Sequence, residues 1–249
     1  MKKYVAVGCG ARGYSAYISP LVKEYSDVAK LCGVYDINHK RAELVSELLG
    51  VEIPVYDDFD KMIEEAKPDT VIVTSVDSTH DYYVKKAMRA GCDVICEKPL
   101  TTTFEKAMDI KKTQEETGKN VIVTFNLRFN PTLRALKEYI KSGIVGDVLS
   151  VHFQWMLDTS HGADYFRRWH SIRENSGSLM VHKSTHHFDL VNFWLGTKPK
   201  QVFAYGDLMF YGRENAENRG VTKFYNRVHG SENAKGDPFA LVMEGNENL

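Results

Sequence analysis

A short apolar run, residues 3–7, leads straight into Gly8-Cys9-Gly10-Ala11-Arg12-Gly13, and then into a stretch of helical spacing at residues 12–25. No other feature narrows the fold of this chain so far. In a Gly-x-Gly-x-x-Gly segment between strand and helix, the first glycine permits the tight turn and the second lets backbone approach a pyrophosphate. The third lets the helix pack on the strand, and the helix N-terminus faces the anion. The next apolar run, residues 28–35, ends at Asp36, 23 residues beyond Gly13. A carboxylate there accepts a hydrogen bond from a ribose 2′-OH and repels a 2′-phosphate, which favours NAD over NADP. The cations of Asn38-His39-Lys40-Arg41 keep NADP as the alternative.

The amino-terminal half continues the alternation. Helical spacing at 40–49 closes at Gly50, and a weak strand at 55–56 precedes a helix at 59–66. A β-branched run at 70–75, a helix at 82–89 stopping at Gly91, and a strand at 93–96 follow. Then come a helix at 104–117, capped by Gly118, and a strand at 121–124. Strands separated by helices of this length predict an α/β class, doubly wound parallel sheet. Beyond Phe125 the pattern changes: a helix at 132–141, a longer alternating strand at 148–156, and an irregular stretch at 157–178 rich in His, Arg and Trp. A helix at 184–195 closes at Gly196, a strand spans 201–210, and residues 211–249 are polar and turn-rich. These shifts place a domain boundary at 124, dividing a dinucleotide-binding domain, 1–124, from a second domain, 125–249. Pro20 is expected to bend or delimit the first helix.

Composition excludes several classes. The 249 residues carry 32 Lys and Arg against 33 Asp and Glu, so there is no net basic field for nucleic acid. No apolar run approaches the ~20 residues of a membrane span. Met1-Lys2-Lys3 resembles the start of a signal peptide, but Arg12 interrupts the apolar stretch too early for one. Cys9, Cys32, Cys92 and Cys96 include no Cys-x-x-Cys pair and read as reduced, mostly buried thiols of a cytoplasmic protein.

Three further segments carry a family resemblance. They are Glu97-Lys98-Pro99 at the end of a strand, Asn126-Leu127-Arg128-Phe129-Asn130-Pro131 at the entry to the second domain, and Gly177-Ser178-Leu179-Met180-Val181-His182-Lys183-Ser184-Thr185-His186-His187-Phe188-Asp189. With the glycine loop, they make the chain similar to the glucose–fructose oxidoreductase / inositol dehydrogenase / rhizopine catabolism (Gfo/Idh/MocA) family. The last segment resembles the family's Asp-x-x-x-His-x-x-Asp pattern, with His182 standing where Asp is usual. The resemblance implies a Rossmann domain, then an α+β domain with an open, mostly antiparallel sheet whose exposed face joins subunits into a homo-oligomer. Family chains run well past residue 249, so the second domain is expected to be incomplete and its last residues poorly packed. The implied reaction is hydride transfer between NAD(P) and a hydroxyl carbon of a sugar, cyclitol or related polyol. Cofactor contacts are implied at Gly8, Gly10, Ala11, Arg12, Gly13, Asp36, Ser75, His80, Glu97, Lys98 and Asn126.

Removing a hydride from a secondary alcohol also requires a group that takes the hydroxyl proton. Lys98 lies at the carboxyl end of a parallel strand, the side on which such sheets bind ligands. It can hydrogen-bond both nicotinamide ribose and substrate hydroxyl. Six of the nine histidines fall between His152 and His187. His186 matches the family's catalytic histidine and is the expected base. His182 is a second catalytic candidate, four residues before it and on the same face, shared with Asp189, if the segment is one helix. His182-x-x-x-His186 also has the spacing of half a zinc site, but the cationic Lys183 between them argues against a metal. Arg128, Arg167, Arg168, Trp169, His170 and Lys183 are candidate substrate contacts, with Trp169 stacking on a sugar face. Phe188, Trp194 and Leu195 read as helix core. A glycosidase working by transient ring oxidation with the same cofactor, and a non-catalytic sugar-binding regulator, are the alternative functions.

Overall fold

The computed structural model describes residues 1–157, 162, 165, 166, 168–224, 232 and 235. They fall into two units. The first comprises Met1–Thr124 with Glu174–Gly177, and the second Phe125–Arg173 with the described residues from Ser178 onward.

The first unit is a six-stranded, wholly parallel sheet. Its strands are β1 (Lys2–Val7), β2 (Ala29–Tyr35), β3 (Val55–Tyr56), β4 (Thr70–Val73), β5 (Asp93–Cys96) and β6 (Val121–Val123). Their spatial order is β3-β2-β1-β4-β5-β6, the doubly wound order in which the chain reverses direction between β1 and β4. Register pairs Val5 with Val71, Ala6 with Ile72 and Val7 with Val73. Because side chains alternate along a strand, Val5, Val7, Val71 and Val73 fill one face with Met62, Met88 and Ile110. Ala6 and Ile72 turn to the other face, against Ile18, Val34 and Val45. Both faces are covered, which is why β1 and β4 are continuous apolar runs rather than alternating ones.

The helices obey their caps. Asp58 accepts the Lys61 N–H (2.8 Å) at the start of Phe59–Ala66, and Thr103 accepts the Lys106 N–H (3.3 Å) at the start of Phe104–Thr117. Gly50 and Gly118 end their helices in the left-handed conformation. The first helix is segmented: a short α-turn, Ala11–Gly13, runs into a π-turn, Tyr14–Ile18, and then into Ser19–Lys23, where Pro20 sits in the first turn. Pro20 thus comes just after the π-turn, where the helical pattern changes.

The second unit departs from expectation. Among its described residues there is no strand. Residues 148–156 and 201–210, expected as members of an open antiparallel sheet, have no regular structure. Alternation marks which face of a segment is apolar but does not supply the neighbour that a ladder needs. Leu149, Phe203 and Tyr205 are accordingly more than nine-tenths exposed. What is ordered is helical. Pro131–Lys141 starts with Asn130 accepting the Thr132 N–H (3.0 Å) and with Pro131 in its first turn. It packs on Thr185–Leu195, where the Trp194 indole N–H donates to the Leu133 carbonyl (2.9 Å) and Lys137 donates to the Phe193 carbonyl (2.8 Å). Trp194 and Leu195, read as core, are half-buried, and Phe188, also read as core, is 54% exposed. A further helix, Arg213–Asn218, occupies part of the turn-rich stretch. Of residues 211–249, expected to be poorly packed, most of 225–249 lie outside the described residues. Among the described residues no helix is long and apolar enough to cross a membrane. All four cysteines are free thiols, and Cys9, Cys92 and Cys96 are buried.

Candidate functional site

The glycine loop follows β1 at the reversal point. Gly8 has φ +91°, and a Cβ there would stand 2.6 Å from the Thr74 carbonyl carbon. A Cβ on Gly13 would stand 2.2 Å from the Gly8 carbonyl oxygen. These two glycines are required by the close approach of the chain to itself. Gly10 is different: its backbone is in an ordinary extended conformation, and a Cβ there would meet nothing within 4 Å. The protein's own packing gives no reason for a glycine at this position. Open space over a bare backbone, next to the start of the first helix, fits the close approach of a pyrophosphate.

Asp36, at the end of β2, is buried and anchors this loop. One carboxylate oxygen accepts the Cys9 N–H (2.7 Å); the other accepts the Asn38 N–H (2.8 Å) and the Arg41 guanidinium (3.2 Å). A carboxylate offers about four lone-pair positions, so capacity remains for a ribose hydroxyl. The Arg41 Nε is buried without a hydrogen-bond partner. Burial, with Asp36 next in effect, pushes the Cys9 thiol well above its ordinary range, so it is no nucleophile.

At the end of β5, Glu97 is buried and takes three donors: Arg12 Nε (2.6 Å), the Tyr17 hydroxyl (2.8 Å) and the Lys98 N–H (2.9 Å). Tyr17 also lies 2.7 Å from the Thr124 hydroxyl. This ties the first helix to the ends of β5 and β6 and directs the backbone on which Lys98 follows. Arg12 is therefore committed to Glu97, and Ala11 lies beside it in the first helical turn. Ser75 follows β4, with its hydroxyl 2.8 Å from that of Thr79. His80 is wholly buried, its Nδ1 2.8 Å from the Pro99 carbonyl oxygen and its Nε2 3.0 Å from that of Ser75. It braces the turn after β4 against the segment carrying Lys98. Sequence reasoning missed Tyr17, which has no motif, and Asp77, whose signal was an acid just past the end of a strand.

In the second unit, His182 and His186 are both buried but do not share one helix. Leu179–His182 ends, Lys183 and Ser184 form a turn, and Thr185–Leu195 begins. The expected i,i+4 face is thus broken, and Asp189 is held by Arg128 through a two-pronged ion pair, one prong Nε–Oδ2 at 2.8 Å. Arg128 and Asn126 lie on the turn Asn126–Phe129, and Arg128 locks that turn to the helix of His186. His186 packs edge-on against Phe125, with ring centroids 6.1 Å apart. Trp169 and His170 are in a turn preceded by Arg168, and they gather around His182: ring centroids are 4.6 Å apart for His170–His182 and 5.5 Å for Trp169–His182. Tyr165 joins this cluster, 5.5 Å from His182. Arg167 lies outside the described residues. Burial lowers the proton affinity of Lys183; burial, with the Lys183 charge next, lowers that of His187.

Two family models match the chain: an oxidoreductase family's NAD-binding Rossmann fold over residues 2–125, and its C-terminal alpha/beta domain over residues 137–244. YteT of Bacillus subtilis (strain 168) is 43% identical over 222 residues, 88% of this chain and 52% of that protein. The myo-inositol 2-dehydrogenase of Thermotoga maritima is 30% identical over 186 residues, 74% of this chain and 52% of its own length. The WlbA dehydrogenase of Bordetella pertussis, solved with NADH and UDP-GlcNAcA, shares the fold at a TM-score of 0.65 and 23% identity, covering 79% of this chain and 55% of that one. The chain spans about half the length of the curated relatives it matches. With both halves of the family pattern matched, and a parallel sheet whose glycine loop is open at Gly10, the chain belongs to the Gfo/Idh/MocA family of oxidoreductases.

Proposed function

We propose that this chain works as an NAD-dependent dehydrogenase on a secondary hydroxyl of a sugar, cyclitol or related polyol. The observation that carries the reading is the open face of Gly10 at the reversal between β1 and β4, beside an acid-terminated β2. Family membership and an inositol dehydrogenase among the relatives support this substrate class. When bound, the nicotinamide takes the hydride, that is, both electrons of the carbinol C–H bond. The chain's residues deal with the proton. We assign His186 as the base that takes it from the hydroxyl, leaving a carbonyl. Lys98 is assigned as hydrogen-bond donor to the substrate oxygen and the nicotinamide ribose. His182 is assigned to hold His186 in place of the family's usual carboxylate. Arg168, His170 and Lys183 are assigned to substrate hydroxyls, and Trp169 to stacking on a sugar face. Gly8, Gly10, Ala11 and Gly13 form the pyrophosphate turn; Asp36 is assigned to the adenosine ribose.

A panel of sugars, cyclitols, polyols and aryl glycosides, incubated with NAD or NADP, tests this through reduced-cofactor absorbance and aryl release. Reduced cofactor should accumulate with a polyol. Aryl release without accumulation would instead mark a glycosidase, and binding without turnover a regulator. His186→Ala and Lys98→Ala should each lower kcat by about 10²–10⁴. The double variant should lose less than the product of the two, because both serve one proton transfer. NAD should bind about 5- to 150-fold more tightly than NADP, the worth of roughly 1–3 kcal/mol at a charged hydrogen bond. Asp36→Ala should narrow that gap, and Arg41→Ala should weaken NADP alone. Equal affinities in the unaltered protein would overturn the assignment of Asp36.

A further inference from the structure

Asp77 has no place in the reaction just described, yet it is among the most buried acids of the chain, 3% exposed. It opens the turn Asp77–Thr79, after the carboxyl end of β4. Lys98 follows the carboxyl end of β5, and β4 and β5 are adjacent and parallel, with Val73 opposite Cys96. The two segments are also joined directly, because His80 reaches the carbonyl oxygens of both Ser75 and Pro99. Three charged groups act on the Asp77 carboxyl. His80 and Lys98 favour its carboxylate, and Glu97 opposes it. Glu97 is itself engaged by Arg12. Lys106 donates to the Ser78 carbonyl (2.6 Å) and pairs with Asp81, and Lys85 pairs with Asp81 and Asp109, so these two cations have other partners.

We propose that Asp77 is a positioning residue that acts through Lys98: its carboxylate holds the Lys98 ammonium at the carboxyl end of the sheet and so sets when that amine carries its proton. The inference rests on the proposed role of Lys98. Burial, opposed first by His80 and then by Lys98, pushes the Asp77 carboxyl up to about 7, so this counter-charge develops across the neutral range.

The test reads the amine directly. The unaltered protein is pulsed with acetic anhydride between pH 5.5 and 9, and acylation of Lys98 is followed by peptide mass spectrometry against the exposed Lys112 as internal reference. Above neutral pH, Lys98 should fall progressively behind Lys112. In Asp77→Asn it should recover by about tenfold or more at pH 8, the usual effect of removing a neighbouring opposite charge. Asp77→Glu should restore part of the retardation. A Lys98 profile parallel to that of Lys112 in the unaltered protein would overturn the proposal whether or not the variants fold; so would an unchanged rate in a folded Asp77→Asn. Acylation requires no turnover, so a protein that oxidises no polyol but shows the retardation would defeat the dehydrogenase reading and leave this one standing.

Discussion

The two units solve the problem of backbone satisfaction differently. In the first, every strand has its neighbours within the unit, and both sheet faces are covered by helices. In the second, segments with good strand patterning, residues 148–156 and 201–210, lie unladdered, and order comes from two helices stapled by Trp194, Lys137 and the Arg128–Asp189 pair. Yet one apolar stripe of the first segment is used: Phe153 and Trp155 lie against His187, with ring centroids 5.6 and 4.9 Å away. Local pattern therefore marks the apolar face of a segment, while pairing decides whether it becomes a strand.

The sharpest way to break this comparison is hydrogen exchange. Amides of β1, β4 and β5 should exchange about 10⁴-fold or more slowly than those of residues 149–155, because the former open only with the whole unit and the latter have no ladder to open. Comparable protection in the two sets would show that the second unit has a sheet in solution. Next in size are the glycines of the first unit. Gly13→Ala drives a Cβ into the Gly8 carbonyl and should cost about 1–3 kcal/mol or more in unfolding free energy. Gly10→Ala meets open space and should change stability by no more than about 0.5 kcal/mol. It should nonetheless lose most affinity for NADH, read by nicotinamide fluorescence. If Gly10→Ala binds NADH as the unaltered protein does, the open face is not the pyrophosphate site.

The same contrast explains what the sequence made legible. The glycine loop, Asp36 and Glu97-Lys98-Pro99 are contiguous or regularly spaced, and each sits at a strand end whose position follows from the doubly wound order. The network of Tyr17, Glu97, Arg12 and Thr124 was not legible, because its members are brought together by packing across three elements. His80 was expected at the cofactor, but burial turned both its ring nitrogens to backbone carbonyls. His182 and His186 were read at helical spacing; a turn at Lys183 and Ser184 interrupts the helix, a break that no Gly or Pro announces. The sheet of the second unit is expected from the family resemblance and its strands from alternation, the weakest of these signals, since it says nothing about a partner.

The smallest expected effects are in pH dependence, and they set the units against each other. Asp77 in the first unit has its proton affinity raised by burial, up to a pKa of about 7 from an ordinary 3.8. The folded state then holds a proton that the unfolded state has lost, so stability is fullest below about pH 4 and declines as pH rises towards 7. Each tenfold change in proton affinity is worth about 1.4 kcal/mol, so the change spans a few kcal/mol at most. Asp77→Asn, a mimic of the neutral acid, should leave the unfolding midpoint unchanged near pH 4 and raise it at pH 8. His187 in the second unit is shifted the other way, its charged form disfavoured first by burial and then by Lys183. Its contribution is present above its ordinary value of 6.5 and is lost as pH falls below it. The ring is partly open to solvent, which screens the effect and keeps it below that of Asp77. His187→Gln should therefore be near neutral at pH 8 and relatively stabilising at pH 5.5. Melting curves of the two single variants at pH 4, 5.5 and 8 would show slopes of opposite sign. Slopes of the same sign would mean that the burial assigned to one of these two groups does not hold in solution.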